Sequence, residues 1–425
     1  MRVFNFLFKA VLLGMPMLLF AKPVSINVSA KAAILINADS GKVLFSKKPD
    51  DRLPPGSTTK IASCLLALSH APDFEEEINC PLECLIQIPQ KIKVEHKYQD
   101  PPYRLEPDGK SYAIAPGEKL TIRDLMYAMM LHSANDASNV IAYRYSQGNI
   151  ENYMKEVNDY LQTIGCKDTA FYNPHGLHYP KHLTTARDLA TLGREAIKNP
   201  QLLEIVKTTK YERPRTNKYR ETRTVWNGNK LLLKGPYYYP KAFGIKTGFH
   251  SAAGFSFVGA ARDDHRTLIA VVLKCANYAE AFKDTIKMFD TAFGEKQLSR
   301  QLLNHQDSMF TTKVKGSKTS LQASLQEDLI VHYFPSEEEE LKPHLEWHVL
   351  KLPIKKGQQV GEVQVKTEEG NIVKVAPLYA MEDLKKSLFS RSKMLLFSFS
   401  SAICVGVVIL ISRYYRREKL LRAGS

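Results

Sequence analysis

Three short clusters stand in this chain in an order that can do nucleophilic chemistry: Ser57-Thr58-Thr59-Lys60, Ser133-Ala134-Asn135 and Lys246-Thr247-Gly248. A serine hydroxyl is a weak nucleophile at neutral pH and needs a base within hydrogen-bond reach. Ser57 and Lys60 are three residues apart at an expected helix start, which puts both side chains on one face. A lysine acts as a base only when neutral, and burial or a second nearby cation depresses its pKa toward that state. Lys246 is the second cation available. A helix beginning at Ser57 also offers free backbone N–H groups and a favourable dipole to a developing oxyanion. Ser133 brings a hydroxyl that both gives and takes a proton, suited to relay between Lys60 and a leaving amine. Asn135 brings a carbonyl and an amide to clamp a substrate peptide bond. Lys246 and Thr247 offer a cation and a hydroxyl to a terminal carboxylate, and Gly248 lets substrate approach a strand with no Cβ in the way. The chemistry so assembled is acyl transfer from an amide or ester.

Each cluster alone is a weak signal. Ser390-Arg391-Ser392-Lys393 repeats the first spacing and Ser25-Ile26-Asn27 the second. Only one ordered set has a Pro54-Pro55-Gly56 turn before a helix, then a helix end, then a strand.

The elements that must position these residues are legible. Ala32 to Phe45 reads as a hairpin around Asp39-Ser40-Gly41. Helices are expected over Thr58–Leu68, from Thr121 to just before Ser133, and over Ala137–Tyr145, Asn152–Ile164 and Thr185–Asn199, the last capped by Thr184 or Thr185. Lys241–Gly248, Gly254–Ala261 and Thr267–Lys274 read as strands, and Ala279–Phe293 as a closing helix. Helices packed on a mainly antiparallel sheet make an α/β catalytic domain of residues 28–298. Residues 299–324 are polar and read as a connector. Short alternating runs over 325–380 make a small all-β domain, and 381–393 a basic stalk.

Both chain ends carry apolar segments. Arg2 and Lys9 precede the run Ala10–Phe20 and the small Ala21, the pattern of a secretory signal over residues 1–21. Residues 394–412 contain no charge and would span about 28 Å as a helix, the width of a bilayer core. The basic tail 413–425 that follows is expected on the cytosolic side and the catalytic part outside. The formal net charge of +15 suits a polyanionic surface such as a cell envelope; no nucleic-acid motif accompanies it. Of six cysteines, Cys404 lies in the apolar segment. Cys80 and Cys84 are close enough for a local disulfide in an oxidising compartment, and Cys64, Cys166 and Cys275 read as small buried hydrophobes. Their spacing offers no second ligand pair for zinc, and no metal site is expected.

The chain resembles the low-molecular-mass penicillin-binding proteins of the serine D-alanyl-D-alanine carboxypeptidase family. Pro55-Gly56-Ser57-Thr58-Thr59-Lys60, His132-Ser133-Ala134-Asn135-Asp136-Ala137 and Gly244-Ile245-Lys246-Thr247-Gly248, followed by Ala253-Gly254, resemble its three motifs. Asn173-Pro174-His175-Gly176-Leu177, Thr185-Ala186-Arg187-Asp188-Leu189 and Asn229-Lys230-Leu231-Leu232 match outside them. Pro353-Ile354-Lys355-Lys356-Gly357 and Pro377-Leu378 look like the family's C-terminal module. The resemblance covers about residues 30 to 390 and implies a β-lactamase/penicillin-binding-protein-like catalytic fold followed by the β-domain. It implies that Ser57 is acylated, that Lys60 is its base, and that Ser133, Asn135 and Lys246 complete the catalytic set. Thr247 and Gly248 would bind substrate, and the backbone N–H groups of Ser57 and Phe249 would form the oxyanion site. The implied substrate is a peptidoglycan stem peptide ending in D-Ala-D-Ala, with β-lactams as covalent inhibitors and no cofactor. Gly56 stands where the family usually has alanine and His250 where threonine is common, which leaves carboxylate contacts there open. D,D-endopeptidase or transpeptidase activity on the same acyl-enzyme, a β-lactamase, and a catalytically silent wall-binding scaffold are the rival readings. His175 sits in a turn and reads as structural, since a serine–lysine system needs no histidine.

Overall fold

The computed structural model describes residues 24–387. The expected signal (1–21), the apolar segment (394–412), the basic tail (413–425) and the end of the stalk lie outside the described residues. Among the described residues no helix is long and apolar enough to cross a membrane. The chain divides into two compact units between Lys296 and Gln297.

The first unit is built on a five-stranded antiparallel sheet. Its order runs Val43–Lys47, Ala32–Asn37, Thr267–Cys275, Gly254–Arg262 and Ala242–His250, with the last at an edge. Thr267–Cys275 is central and reads as a near-continuous apolar run because both its faces are covered. The two-residue period of the strands splits the core in two. Ile34, Ile36, Val258, Ile269, Val271 and Leu273 join the cluster that includes helices Lys60–Ser69, Asn135–Tyr145 and Ala186–Lys198. Ala33, Leu35, Phe257, Leu268, Ala270 and Val272 pack against Phe282, Met288 and Phe289 of the helix Tyr278–Phe293.

Local chemistry starts the helices. Thr185 caps Ala186–Lys198 by accepting from the Asp188 N–H at 3.0 Å. Thr184 is not the cap; its hydroxyl meets Thr169 Oγ1 at 2.8 Å. Thr121 and Asp124 form a reciprocal capping box at the start of Ile122–Tyr127. The helix expected from there to Ser133 changes winding: Ala128–His132 is a π-helical turn, and the Ser133 N–H reaches back to Ala128 O. Such wide turns re-aim the chain, and this one delivers Ser133 in the left-handed conformation at φ 68°.

The second unit corrects the expected connector. Residues 299–324 contain most of the strand Leu298–Leu303 and all of Met309–Lys313 and Ser320–Ser324. The last two join Ile372–Ala380, Gln359–Thr367 and Leu341–Trp347 in a five-stranded sheet, while Leu298–Leu303 pairs with Leu329–Tyr333. Leu321 and Ala323 are fully buried between polar neighbours, so composition hid a period-two pattern that marks a half-buried strand. Within the region 325–380, one strand forms at Leu341–Trp347, with Pro343 inside it. That strand lies at a sheet edge, where proline is tolerated. Cys80 and Cys84 are free thiols, as are Cys64, Cys166 and Cys275, and all five are buried.

Candidate active site

The edge strand, the start of the helix that follows Ser57 and the Ser133 turn converge on a cavity of about 480 Å³ lined by Ser57, Lys110, Ser133, Asn135, Thr247 and Phe249, among others. Ser57 lies in a tight turn, Gly56–Thr59, that runs directly into the helix Lys60–Ser69. Two threonines brace this turn from inside: Thr58 Oγ1 donates to Pro55 O and Thr59 Oγ1 to Gly56 O, each at 2.9 Å. Thr59 also meets His182 Nε2 at 2.9 Å, and the Tyr172 N–H donates to His182 Nδ1 at 3.1 Å. The ring is therefore neutral with its proton on Nε2. Burial, then the charges of His178 and Lys60, push its pKa down to about 3.

Lys60 is fully buried. Its Nζ meets Asn135 Oδ1 at 2.7 Å, the His175 carbonyl at 2.6 Å and Ser57 Oγ at 3.0 Å. Burial first, and the Lys246 charge second, hold its pKa well below the ordinary lysine value, while Asp136 opposes them. The three partners set the orientation that the amine takes once it is neutral. Two of them, an amide oxygen and a backbone carbonyl, only accept, so they would take its two N–H groups. The lone pair would then face Ser57, the one partner that can donate. This is the arrangement a base needs before the nucleophile attacks.

The second motif is placed with one correction. Asn135 begins the helix Asn135–Tyr145, and its N–H donates to Lys110 O at 2.8 Å. Its side-chain carbonyl is committed to Lys60, so only its amide remains to clamp a substrate. Ser133 lines the same cavity, but the three Lys60 contacts go elsewhere.

In the third motif Lys246 is 2% exposed, and its Nζ donates to Thr247 O at 3.2 Å. Burial, then the Lys110 charge, bring its pKa down to about 7. Gly248 lines the cavity and has a further use. A Cβ there would lie 2.7 Å from Pro55 O and 3.2 Å from Ser57 N, so the glycine lets the edge strand close on the turn that holds Ser57. Gly56 answers it from the other side. At φ +57° a Cβ would lie 3.0 Å from Phe249 N. This glycine–glycine contact brings the Ser57 and Phe249 amides together. A Gly56→Ala substitution should cost about 1–2 kcal/mol, the penalty of a left-handed L-residue, read as a lowered urea midpoint with unchanged slope.

Sequence reasoning missed three supports. The Asn173–Leu177 turn supplies the His175 carbonyl to Lys60. The His175 ring is itself buried and held by Tyr103 O and the Leu177 N–H; burial, then the Lys60 charge, push its pKa well down. Asp136 gathers Ser111 Oγ at 2.6 Å and the N–H groups of Tyr112, Ile114 and Ala137 at 2.9–3.2 Å, fixing the loop beside Lys110. Its place directly after Asn135 was the available signal. His250 meets Glu106 at 3.3 Å, whose other oxygen takes Lys93 at 3.0 Å. Burial would raise the Glu106 pKa, but the His250 hydrogen bond and the Lys93 charge outweigh it and hold it below the ordinary value. A direct contact to a carboxylic acid ligand, left open for His250, therefore meets a side chain already engaged by Glu106.

Comparison with known proteins identifies the family and the fold. The family model described as D-alanyl-D-alanine carboxypeptidase matches residues 20–277, and that of the penicillin-binding protein 5 C-terminal domain matches residues 299–386. The D-alanyl-D-alanine carboxypeptidase DacF of Bacillus subtilis is 29% identical over 366 residues, covering 85% of this chain and 87% of that protein. DacC of Escherichia coli, of the same description, is 27% identical over 369 residues, covering 85% and 86%. Two solved structures share the fold. The D-alanyl-D-alanine carboxypeptidase DacD from Francisella tularensis matches at TM-score 0.59 and 21% identity, covering 86% of this chain and 96% of that one. Penicillin binding protein 5 from Haemophilus influenzae matches at TM-score 0.57 and 23% identity, covering 85% and 99%.

Proposed function

The chain belongs to the D-alanyl-D-alanine carboxypeptidase family of serine peptidases, and from that premise we propose that Ser57 is its acylated residue and peptidoglycan stem peptides ending in D-Ala-D-Ala its substrates. Neutral Lys60 takes the Ser57 proton as Oγ attacks the carbonyl between the two terminal D-alanines. The oxyanion accepts from the N–H groups of Ser57 and Phe249. Collapse breaks the C–N bond, and the leaving amine receives its proton from Lys60 through Ser133. Terminal D-alanine departs; water then cleaves the ester and returns the proton to Ser57. Lys246 and Thr247 hold the departing carboxylate, Gly248 keeps the edge strand against the nucleophile, and the Asn135 amide holds the donor peptide. These steps call on no metal or organic cofactor. β-Lactams, as mimics of the D-Ala-D-Ala end, acylate the same serine.

The observation that carries this reading is the buried Lys60, whose amine lies 3.0 Å from Ser57 Oγ between two acceptor-only partners. The apolar segment 394–412, as a single membrane span, would hold the catalytic unit on the outer face of the cytoplasmic membrane, after removal of the signal at 1–21. To test the reading, the full-length chain is incubated with benzylpenicillin and followed by intact mass and peptide mapping, with D-alanine release from a D-Ala-D-Ala peptide measured in parallel. One adduct on Ser57 that persists for many minutes, with D-alanine released, is expected. An adduct that disappears as drug is consumed would make the chain a β-lactamase. No adduct would favour the scaffold.

A further inference from the structure

The cavity that Thr247 lines carries two cations that the three motifs do not contain, Lys110 and Lys230, and Lys110 is the one whose charge acts on Lys246. Lys110 lines the same cavity as Ser133, Asn135, Gly228 and Thr247. Its position is built. Its carbonyl accepts from the Asn135 N–H at 2.8 Å, and the next residues, Ser111 and Tyr112, are pinned by Asp136. Its side chain is exposed, and among the described residues no carboxylate pairs with it. Lys246 likewise has only the Thr247 carbonyl as its partner. The Lys110 charge acts on Lys246 and, after burial, lowers its pKa. A Cβ on Gly228 would come within 3.0 Å of Thr247 Oγ1, so space is kept free next to that hydroxyl. A cation without a carboxylate on the cavity wall, acting on a second one buried behind it, is unfavourable until an anion enters the cavity.

We infer that Lys110 is a substrate-binding residue, a second cation for the α-carboxylate of the leaving residue, acting beside Lys246 and Thr247. The inference rests on the Ser57 reading above and adds a specificity to it. The leaving group must carry a free carboxylate, and Lys110 supplies part of the discrimination against a C-terminus that lacks one. A charged hydrogen bond at the cavity rim corresponds to about a tenfold preference.

The test uses the full-length chain and one peptide ending in D-Ala-D-Ala, prepared as free acid and as C-terminal amide, with kcat/KM measured for each. In Lys110→Ala the acid-to-amide ratio should fall about tenfold. Lys110→Arg should restore most of it, and Lys110→Glu should lower it further than alanine. A ratio unchanged in Lys110→Ala, or equal losses on both peptides, overturns the inference while leaving the Ser57 reading intact. A wild-type chain that cleaves neither peptide and forms no Ser57 adduct with benzylpenicillin overturns that reading, and the inference with it.

Discussion

In a Lys60→Met variant, acylation of Ser57 by benzylpenicillin should fall between about 10²- and 10⁴-fold, the contribution of a positioned general base. Methionine matches the length of the stem and keeps the site packed, but it has no lone pair basic enough to take the serine proton. It also leaves Asn135 Oδ1 and the His175 carbonyl without a donor, which costs about 1–3 kcal/mol for each buried group. An opposite contribution acts on stability. The folded pKa of Lys60 lies well below 10.5, so between the folded and the unfolded value the unfolded chain binds a proton that the folded one does not. Folding therefore loses stability as pH falls from the unfolded value toward the folded one. Methionine removes that loss. Because the two contributions oppose each other, the fall in rate far exceeds what unfolding can explain, and a thermal transition confirms that the variant is folded. The pH profile is the sharper readout. In the wild type the rate rises as Lys60 deprotonates and declines above about 7 as Lys246 loses the charge that holds the carboxylate. In the variant the rising limb due to Lys60 is gone. Acylation within a few-fold of wild type, with that limb retained, would show that another group takes the proton.

Ser57, Lys60 and the strand that carries Lys246 were legible because each has a side-chain signature at a fixed spacing. Ser57 and Lys60 lie three residues apart, and the run Thr267–Lys274 reads as a strand by composition alone. What stayed hidden has a common cause. The third ligand of Lys60 is a backbone carbonyl, which every residue possesses and no spacing marks. The Glu106–His250 contact joins residues 144 apart in the chain, so neither residue type nor local period points to it. Gly248 was assigned to substrate approach because a glycine in a strand says only that something comes close; the turn before Ser57 also comes close to it, which no spacing marks. In the second unit, Met309–Lys313 and Ser320–Ser324 alternate Ser, Thr, Gln and Lys with few apolar residues. Their strand character became visible only through the sheet they join.

Gly176→Ala should be the most damaging single-methyl change in the catalytic unit, destabilising it by about 2–5 kcal/mol from left-handed strain and overpacking together. Gly176 has φ +91°, and a Cβ there would fall 2.0 Å from Gly56 O, 2.5 Å from Gly56 C and 2.9 Å from Thr59 Oγ1. The first two are backbone atoms of the nucleophile turn, held by the Thr59 hydroxyl, so no flexible side chain can yield. The opposing side is equally fixed. Asn173 Oδ1 accepts from the Gly176 N–H at 2.7 Å, and Asn173 Nδ2 donates to Leu177 O at 3.0 Å. The added methyl must therefore push the Asn173–Leu177 turn and the Gly56–Thr59 turn apart. That separation draws the His175 carbonyl away from Lys60, a contact of 2.6 Å, and releases an N–H that no longer constrains the lone pair toward Ser57. Acylation should thus slow in protein that is still folded at low temperature, in addition to a thermal midpoint lowered by several degrees. His175→Ala separates the two possible reasons. It keeps the backbone carbonyl and removes only the imidazole, so it should acylate much faster than Gly176→Ala even though it opens a cavity. If the two variants, both folded, lose acylation equally, the role belongs to the His175 ring and the carbonyl argument fails.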